Sequence, residues 1–187
     1  QVKAGIKTGS SEGKKGNAVT VPVAPPPAAS EGISTLVAGI KASVSSGCVP
    51  LYVKFTSTSS GAVLQEWNFG DGGTSDQENP EWVYDVAGIY SVSLVARDAS
   101  GKEAVTSRQI VVLPKPKAAF DLMPENPVIP ADEITFVNQS EGAVSYKWYF
   151  GDNSSSQLFA PVHKYAKHGK YDVALVAISE NGCTDSL

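Results

Sequence analysis

The sequence predicts an all-β chain built from two small β-sandwiches in tandem, and three observations carry that reading. A set of distinctive residues recurs at a fixed offset of 81 positions. Within each copy, apolar residues alternate with polar ones at the period of two that a half-buried strand requires. The composition, with 17 Gly, 12 Pro and 18% charged residues in a chain of 187, suits short strands joined by many turns better than helices.

The repeat defines the units. Trp67, Phe69, Gly70 and Asp71 recur as Trp148, Phe150, Gly151 and Asp152. Phe55, Pro80, Tyr84, Gly88, Tyr90, Val92 and Leu94 map without a gap onto Phe136, Pro161, Tyr165, Gly169, Tyr171, Val173 and Leu175. Across positions 55–96, 18 of 42 residues equal their partners 81 places on, too many for coincidence, so each copy is a structural unit. That period exceeds the length of a solenoid repeat and fits a sandwich of about seven strands.

The strand rows follow in order. Leu51, Val53 and Phe55 alternate with Tyr52 and Lys54, and Tyr90, Val92, Leu94 and Ala96 alternate with Ser91 and Ser93. Tyr171, Val173, Leu175 and Ala177 repeat the second row, and these rows are expected to face one another across each sandwich. Between them lies turn chemistry: Gly70, Asp71, Gly72 and Gly73 follow Phe69 directly, the glycines permitting φ > 0 and the carboxylate accepting a nearby backbone N–H. Asn153 stands where the first copy has Gly72, and Asn also visits the left-handed region.

The string Trp67-Asn68-Phe69-Gly70-Asp71-Gly72, followed by Asn79-Pro80, Tyr84 and Ala87-Gly88-Ile89-Tyr90-Ser91-Val92, resembles the signature of the polycystic kidney disease (PKD) domain. Trp148-Tyr149-Phe150-Gly151-Asp152, with Pro161, Tyr165 and His168-Gly169-Lys170-Tyr171-Asp172-Val173, is a second, looser copy. The resemblance implies immunoglobulin-like sandwiches that act as spacers or binding modules in extracellular proteins, without fixing one function. Paired units of this kind are similar to those of secreted bacterial surface proteins.

The expected organisation is an extended low-complexity tail over 1–41, a first sandwich over 42–113, a Pro-rich linker over 114–117 and a second sandwich over 118–187. Two prolines in Leu113-Pro114-Lys115-Pro116-Lys117 disfavour helix and stiffen the link. Residues 1–30 hold four Gly, four Pro and four Lys with almost no periodic content, so they cannot bury enough surface to fold alone. Asn17 to Val23 is the piece best able to pair as an edge strand, and donation of such a strand to a neighbouring molecule is one expected route to assembly. Leu187 aligns with Thr106, so most of the last strand of the second sandwich is expected to be missing, leaving an open edge.

Cys48 and Cys183 belong to different units. In an immunoglobulin-like topology the turn after the first strand faces the next domain and the turn after the sixth faces the previous one, so the two loops meet when the domains are in line. A Cys48–Cys183 bridge is expected on that ground, with two free thiols, or pairing of Cys183 beyond Leu187, as the alternatives. Gln1 in place of Met and the composition point to an exported chain with a processed start, secreted or held at the cell surface.

Chemistry-bearing residues are sparse. His163 and His168 align with Trp82 and Ala87, so neither histidine is shared, and no local motif supports a Ser-His-Asp triad or a His-rich metal site. No catalysis is expected. Asp71 and Asp152 read as turn-closing carboxylates. Asp71, Asp76 and Glu78 are near in sequence and are the weak candidates for a calcium site; no other cofactor is expected. Tyr52, Trp82 and Tyr149 could present aromatic faces to glycans or partner proteins, and Asn138-Gln139-Ser140 and Asn153-Ser154-Ser155 match the N-glycosylation sequon. A net charge of −4 without a basic block disfavours nucleic acid, and no apolar stretch approaches the roughly 20 residues of a spanning helix.

The expected function is a non-catalytic extracellular module that spaces, assembles or binds protein subunits or surface glycans. The alternative is an accessory stretch of a secreted hydrolase.

Overall fold

A computed structural model describes residues 35–187, and every regular element in them is β. The expected pairing of residues 17–23, and any assembly through the tail, lie outside the described residues. The first sandwich comprises β1 (Ile40–Ala42), β2 (Ser46–Cys48), β3 (Leu51–Ser57), β4 (Leu64–Asn68), β5 (Thr74–Ser75), β6 (Glu81–Tyr84), β7 (Gly88–Arg97) and β8 (Glu103–Leu113). The second comprises β9 (Phe120–Met123), β10 (Ile134–Asn138), β11 (Ser145–Tyr149), β12 (Ser155–Ser156), β13 (Val162–His163), β14 (Ala174–Ile178) and β15 (Thr184–Ser186). Sheet orders are β1-β3-β6 over β2-β8-β7-β4-β5 in the first, and β13-β10-β9 over β12-β11-β14-β15 in the second. No helix among the described residues is long and apolar enough to cross a membrane.

The strand rows bury as their periodicity requires. In β3, Leu51, Val53 and Phe55 point inward while Tyr52, Lys54 and Thr56 face solvent. Each core is built round a fully buried tryptophan, Trp67 against Phe55 at 5.7 Å and Trp148 against Phe136 at 5.6 Å between ring centroids. Burial of an indole leaves its N–H in need of an acceptor. The chain supplies the same one twice: Trp67 Nε1 donates to the Gln77 carbonyl and Trp148 Nε1 to that of Leu158, each at 2.9 Å. Tyr84 Oη likewise donates to the Phe69 carbonyl and Tyr165 Oη to that of Phe150, at 2.9 and 2.8 Å.

Two boundaries differ from those read in the sequence. The first sandwich starts before residue 42: Leu36 is buried, Val37 bridges Ser60, and β1 already pairs with β3 through Ile40↔Ser57. These residues carry no repeat partner or clear alternation, so only the packing reveals them. The linker is also shorter than 114–117, because Lys117 exchanges backbone bonds with Glu141 and so belongs to the second sandwich.

The last strand of the second sandwich is present as a short piece. β15 pairs with β14 through Ile178↔Thr184 to Val176↔Ser186, and Leu187 exchanges both backbone bonds with Leu175. In the first sandwich β8 runs 11 residues along the 10 of β7, whereas β14 has five. β14 begins at Ala174 because residues 169–173 have no partner strand among the described residues. The register makes β2 part of the same difference, since its parallel pairing Cys48↔Leu113 uses the far end of β8.

Candidate functional site

Two places concentrate side-chain chemistry: the turn that follows each Trp-x-Phe strand, and the junction between the sandwiches. In the turn, Gly70 has φ +84° and a Cβ built on it would lie 2.9 Å from the Ser91 backbone N; at Gly151 the corresponding approach is 2.7 Å to the Asp172 carbonyl oxygen. No side chain fits there, which explains the repeated Phe-Gly-Asp. The following carboxylate closes the turn, Asp71 Oδ1 accepting from Gly73 N at 2.9 Å and Asp152 Oδ1 from Ser154 N at 3.0 Å.

The second carboxylate oxygen reaches the next strand. Trp82 Nε1 donates to Asp71 Oδ2 at 2.8 Å, and His163 Nε2 lies 2.7 Å from Asp152 Oδ2. Both rings stack on the phenylalanine of the turn, Trp82 on Phe69 at 4.2 Å and His163 on Phe150 at 4.3 Å. Two residues that share no letter therefore do the same work. The exchange extends one position further. A Cβ on Gly73 would fall 2.1 Å from Cζ2 of Trp82, so glycine is required beneath the indole; the smaller imidazole leaves room for Ser154.

Ser154, Asp152 and His163 look like the members of a catalytic triad in the wrong order. The Ser154 hydroxyl donates to Asp152 rather than to the histidine, so no base stands ready to take its proton. The Ser154 hydroxyl, joined by its backbone N–H and by His163, holds the Asp152 carboxyl down at about 2. Burial pushes the Tyr165 hydroxyl up to about 12, with Asp152 adding to it, and burial with Asp71 raises Tyr84 further. These phenols stay protonated donors. The cluster locks a turn and offers neither nucleophile nor base.

At the junction, Cys48 and Cys183 form a disulfide with Cα atoms 5.7 Å apart across 135 positions of sequence. Cys48 is the residue of β2 that faces Leu113 at the end of β8, and Val49 N donates to the Leu113 carbonyl at 3.0 Å. Two residues beyond Cys183, Asp185 Oδ2 accepts from Ala118 N at 2.8 Å. The segment from Leu113 to Ala118 is thus bridged by a second path, through Cys48, Cys183 and Asp185. This ring fixes where the chain leaves one sandwich and where it enters the other.

The remaining candidates are scattered. Asp71 is committed to Gly73 and Trp82, while Asp76 and Glu78 line a surface hollow of about 410 Å³ beside Gln65; among the described residues no three His, Cys, Asp or Glu side chains gather as a metal site. Tyr52 is 71% exposed above the Lys54–Glu81 ion pair, Tyr149 is 41% exposed, and His168 is exposed away from other titratable groups of the turn. Asn138 is buried and donates to the Phe159 carbonyl, whereas Asn153 is exposed at φ +71°. The sequence gave no signal for Gln65, whose Oε1 is buried without a partner. At the matching place in the second sandwich Tyr146 packs edge-on against Phe159 and fills the hollow.

These features define a tandem of immunoglobulin-like sandwiches with a covalently closed junction. The chain belongs to the PKD domain family, whose model matches residues 34–113 and 114–187. It is 36% identical over 86 residues to collagenase ColA of Bacillus cereus, covering 43% of this chain and 9% of that protein. With collagenase ColA of Clostridium perfringens it shares 30% identity over 109 residues, 56% of this chain and again 9% of the relative. Among solved structures, the PKD1 domain of the Vibrio cholerae metalloprotease PrtV is 34% identical, covering 41% of this chain and 95% of that one, with a TM-score of 0.38. The chain therefore spans about a tenth of the collagenases it matches.

Proposed function

We propose that the tandem is a non-catalytic accessory module of a larger extracellular protein, setting a fixed separation and angle between whatever lies on either side of it. The observation that carries this reading is the closed junction, in which the Cys48–Cys183 bond and the Asp185–Ala118 hydrogen bond bridge the short segment from Leu113 to Ala118. A flexible tether needs no such ring. An inter-domain disulfide also fits an oxidising compartment, and with it an extracellular location.

The match to bacterial collagenases supports a second form of the same reading, in which the protein served is a secreted hydrolase. The exposed faces around Tyr52 and Tyr149 are then the surfaces open to a protein or glycan partner.

Small-angle scattering of the purified chain with and without reductant tests the spacing role. The oxidised protein is expected to fit a single arrangement of the two sandwiches, and the reduced protein a broadened one. An oxidised sample that needs a broad range of inter-domain angles would overturn the proposal.

A further inference from the structure

We propose that the Cys48–Cys183 bond makes this tandem a load-bearing strut in which both sandwiches are shielded from tension along the chain. The source of the tension rests on the spacer reading above; the shielding follows from connectivity alone. A pull that enters the chain before Cys48 and leaves it after Cys183 crosses the junction through two side chains, over a Cα–Cα distance of 5.7 Å. It does not pass through the 135 positions that separate the cysteines.

What lies inside that covalent loop is nearly everything that holds the fold. All strands from β3 to β14 fall between residues 48 and 183, with both tryptophan-centred cores, both Trp-x-Phe-Gly-Asp turns and the Leu113–Ala118 segment. Outside the loop are β1 and the first two residues of β2 on one side and β15 on the other. Each of these elements pairs with only one strand of the loop: β1 with β3, β2 with β8, and β15 with β14, through three register pairs apiece. Tension can peel these short pieces. It cannot draw out Trp67 or Trp148, because no force is transmitted through the strands that carry them.

Two features suit the bond to this work. Cys183 is 1% exposed, so a thiolate in solvent cannot reach its sulfur while the sandwich is closed. Asp185, just outside the loop, holds Ala118, just inside the second sandwich, so the last residues before the exit are anchored beside the bond. Without the disulfide the same pull would run in series through β8, the linker and β9. Each sandwich would then open in turn, releasing a combined length of about 470 Å at roughly 3.5 Å per residue.

Force spectroscopy on the full chain, held by handles at its two ends, tests the proposal. The oxidised protein is expected to show no step that releases residues 49–182. The Cys48→Ser, Cys183→Ser double variant, shown by circular dichroism to be folded before pulling, is expected to show two unfolding steps and about 470 Å more extension. If that variant does not fold, wild type reduced while already under low force replaces it, with the same two steps expected. Equal steps in oxidised and bond-free protein would overturn the proposal, as would alkylation of both cysteines in unreduced native protein. A loosely angled pair in scattering, with the long steps still absent under force, would sink the fixed-angle spacer and leave the strut standing.

Discussion

His163 Nε2 lies 2.7 Å from Asp152 Oδ2, in the place where the first sandwich sets the Trp82 indole N–H against Asp71. In each copy a flat ring stacks on the turn phenylalanine and anchors the turn carboxylate to the neighbouring strand. The residue under the ring follows its size, Gly73 beneath the indole and Ser154 beneath the imidazole.

That coupling predicts a double-mutant cycle. Gly73→Ser alone forces a Cβ into Trp82 and is expected to destabilise the first sandwich by about 2 kcal/mol, in the range of overpacking. Trp82→His alone loses part of the stacked surface. Combined, the two changes rebuild the second-sandwich arrangement and are expected to cost less than the sum of the singles by about 1 kcal/mol or more. Urea unfolding of the four proteins measures the difference, and strict additivity would show that ring and small residue are independent.

The Asp152 carboxyl gives the second sandwich an acid limit. Its folded pKa of about 2 lies below the ordinary aspartate value near 3.9, so the unfolded chain binds more protons between the two. The stabilisation is complete above about pH 4 and is lost as pH falls through about 2. Asp152→Asn is expected to lower stability at neutral pH and to flatten this acid slope. Hydrogen exchange of the β11 and β14 amides between pH 5 and pH 2 reads both effects; an unchanged slope in the variant would assign it to other carboxyls.

Positive φ and close approach can be separated at two glycines of the second sandwich. Gly151 and Gly182 have φ +81° and +78°, but only at Gly151 would a Cβ meet backbone, at 2.7 Å; at Gly182 nothing lies within 4 Å. Gly182→Ala is expected to cost about 1 kcal/mol from the left-handed backbone alone. Gly151→Ala should cost about 3 kcal/mol or more, since the turn must move off Asp172. Similar thermal unfolding midpoints for the two variants would remove the close-approach account of the Phe-Gly-Asp repeat.

The sequence by itself determined the two units, the inward strand rows and the turn after each Trp-x-Phe pair. Those features are local: a period of two, a glycine where no side chain fits, and distinctive residues written twice. It did not reveal that Trp82 and His163 are equivalent, because a comparison of letters sees two different residues, while the shared role rests on a planar ring with an N–H at one edge. Leu36 and Val37 escaped it for a related reason, since they belong to the first sandwich only through contacts with a strand 20 residues on. Nor could it decide the partner of Cys48. The sequence placed each cysteine in a loop and left three pairings open; only the packing of both sandwiches brings Cys48, at the end of β2, within 5.7 Å of Cys183, 135 positions away. Long-range proximity of that kind is a property of the assembled cores, which no short stretch of chain encodes.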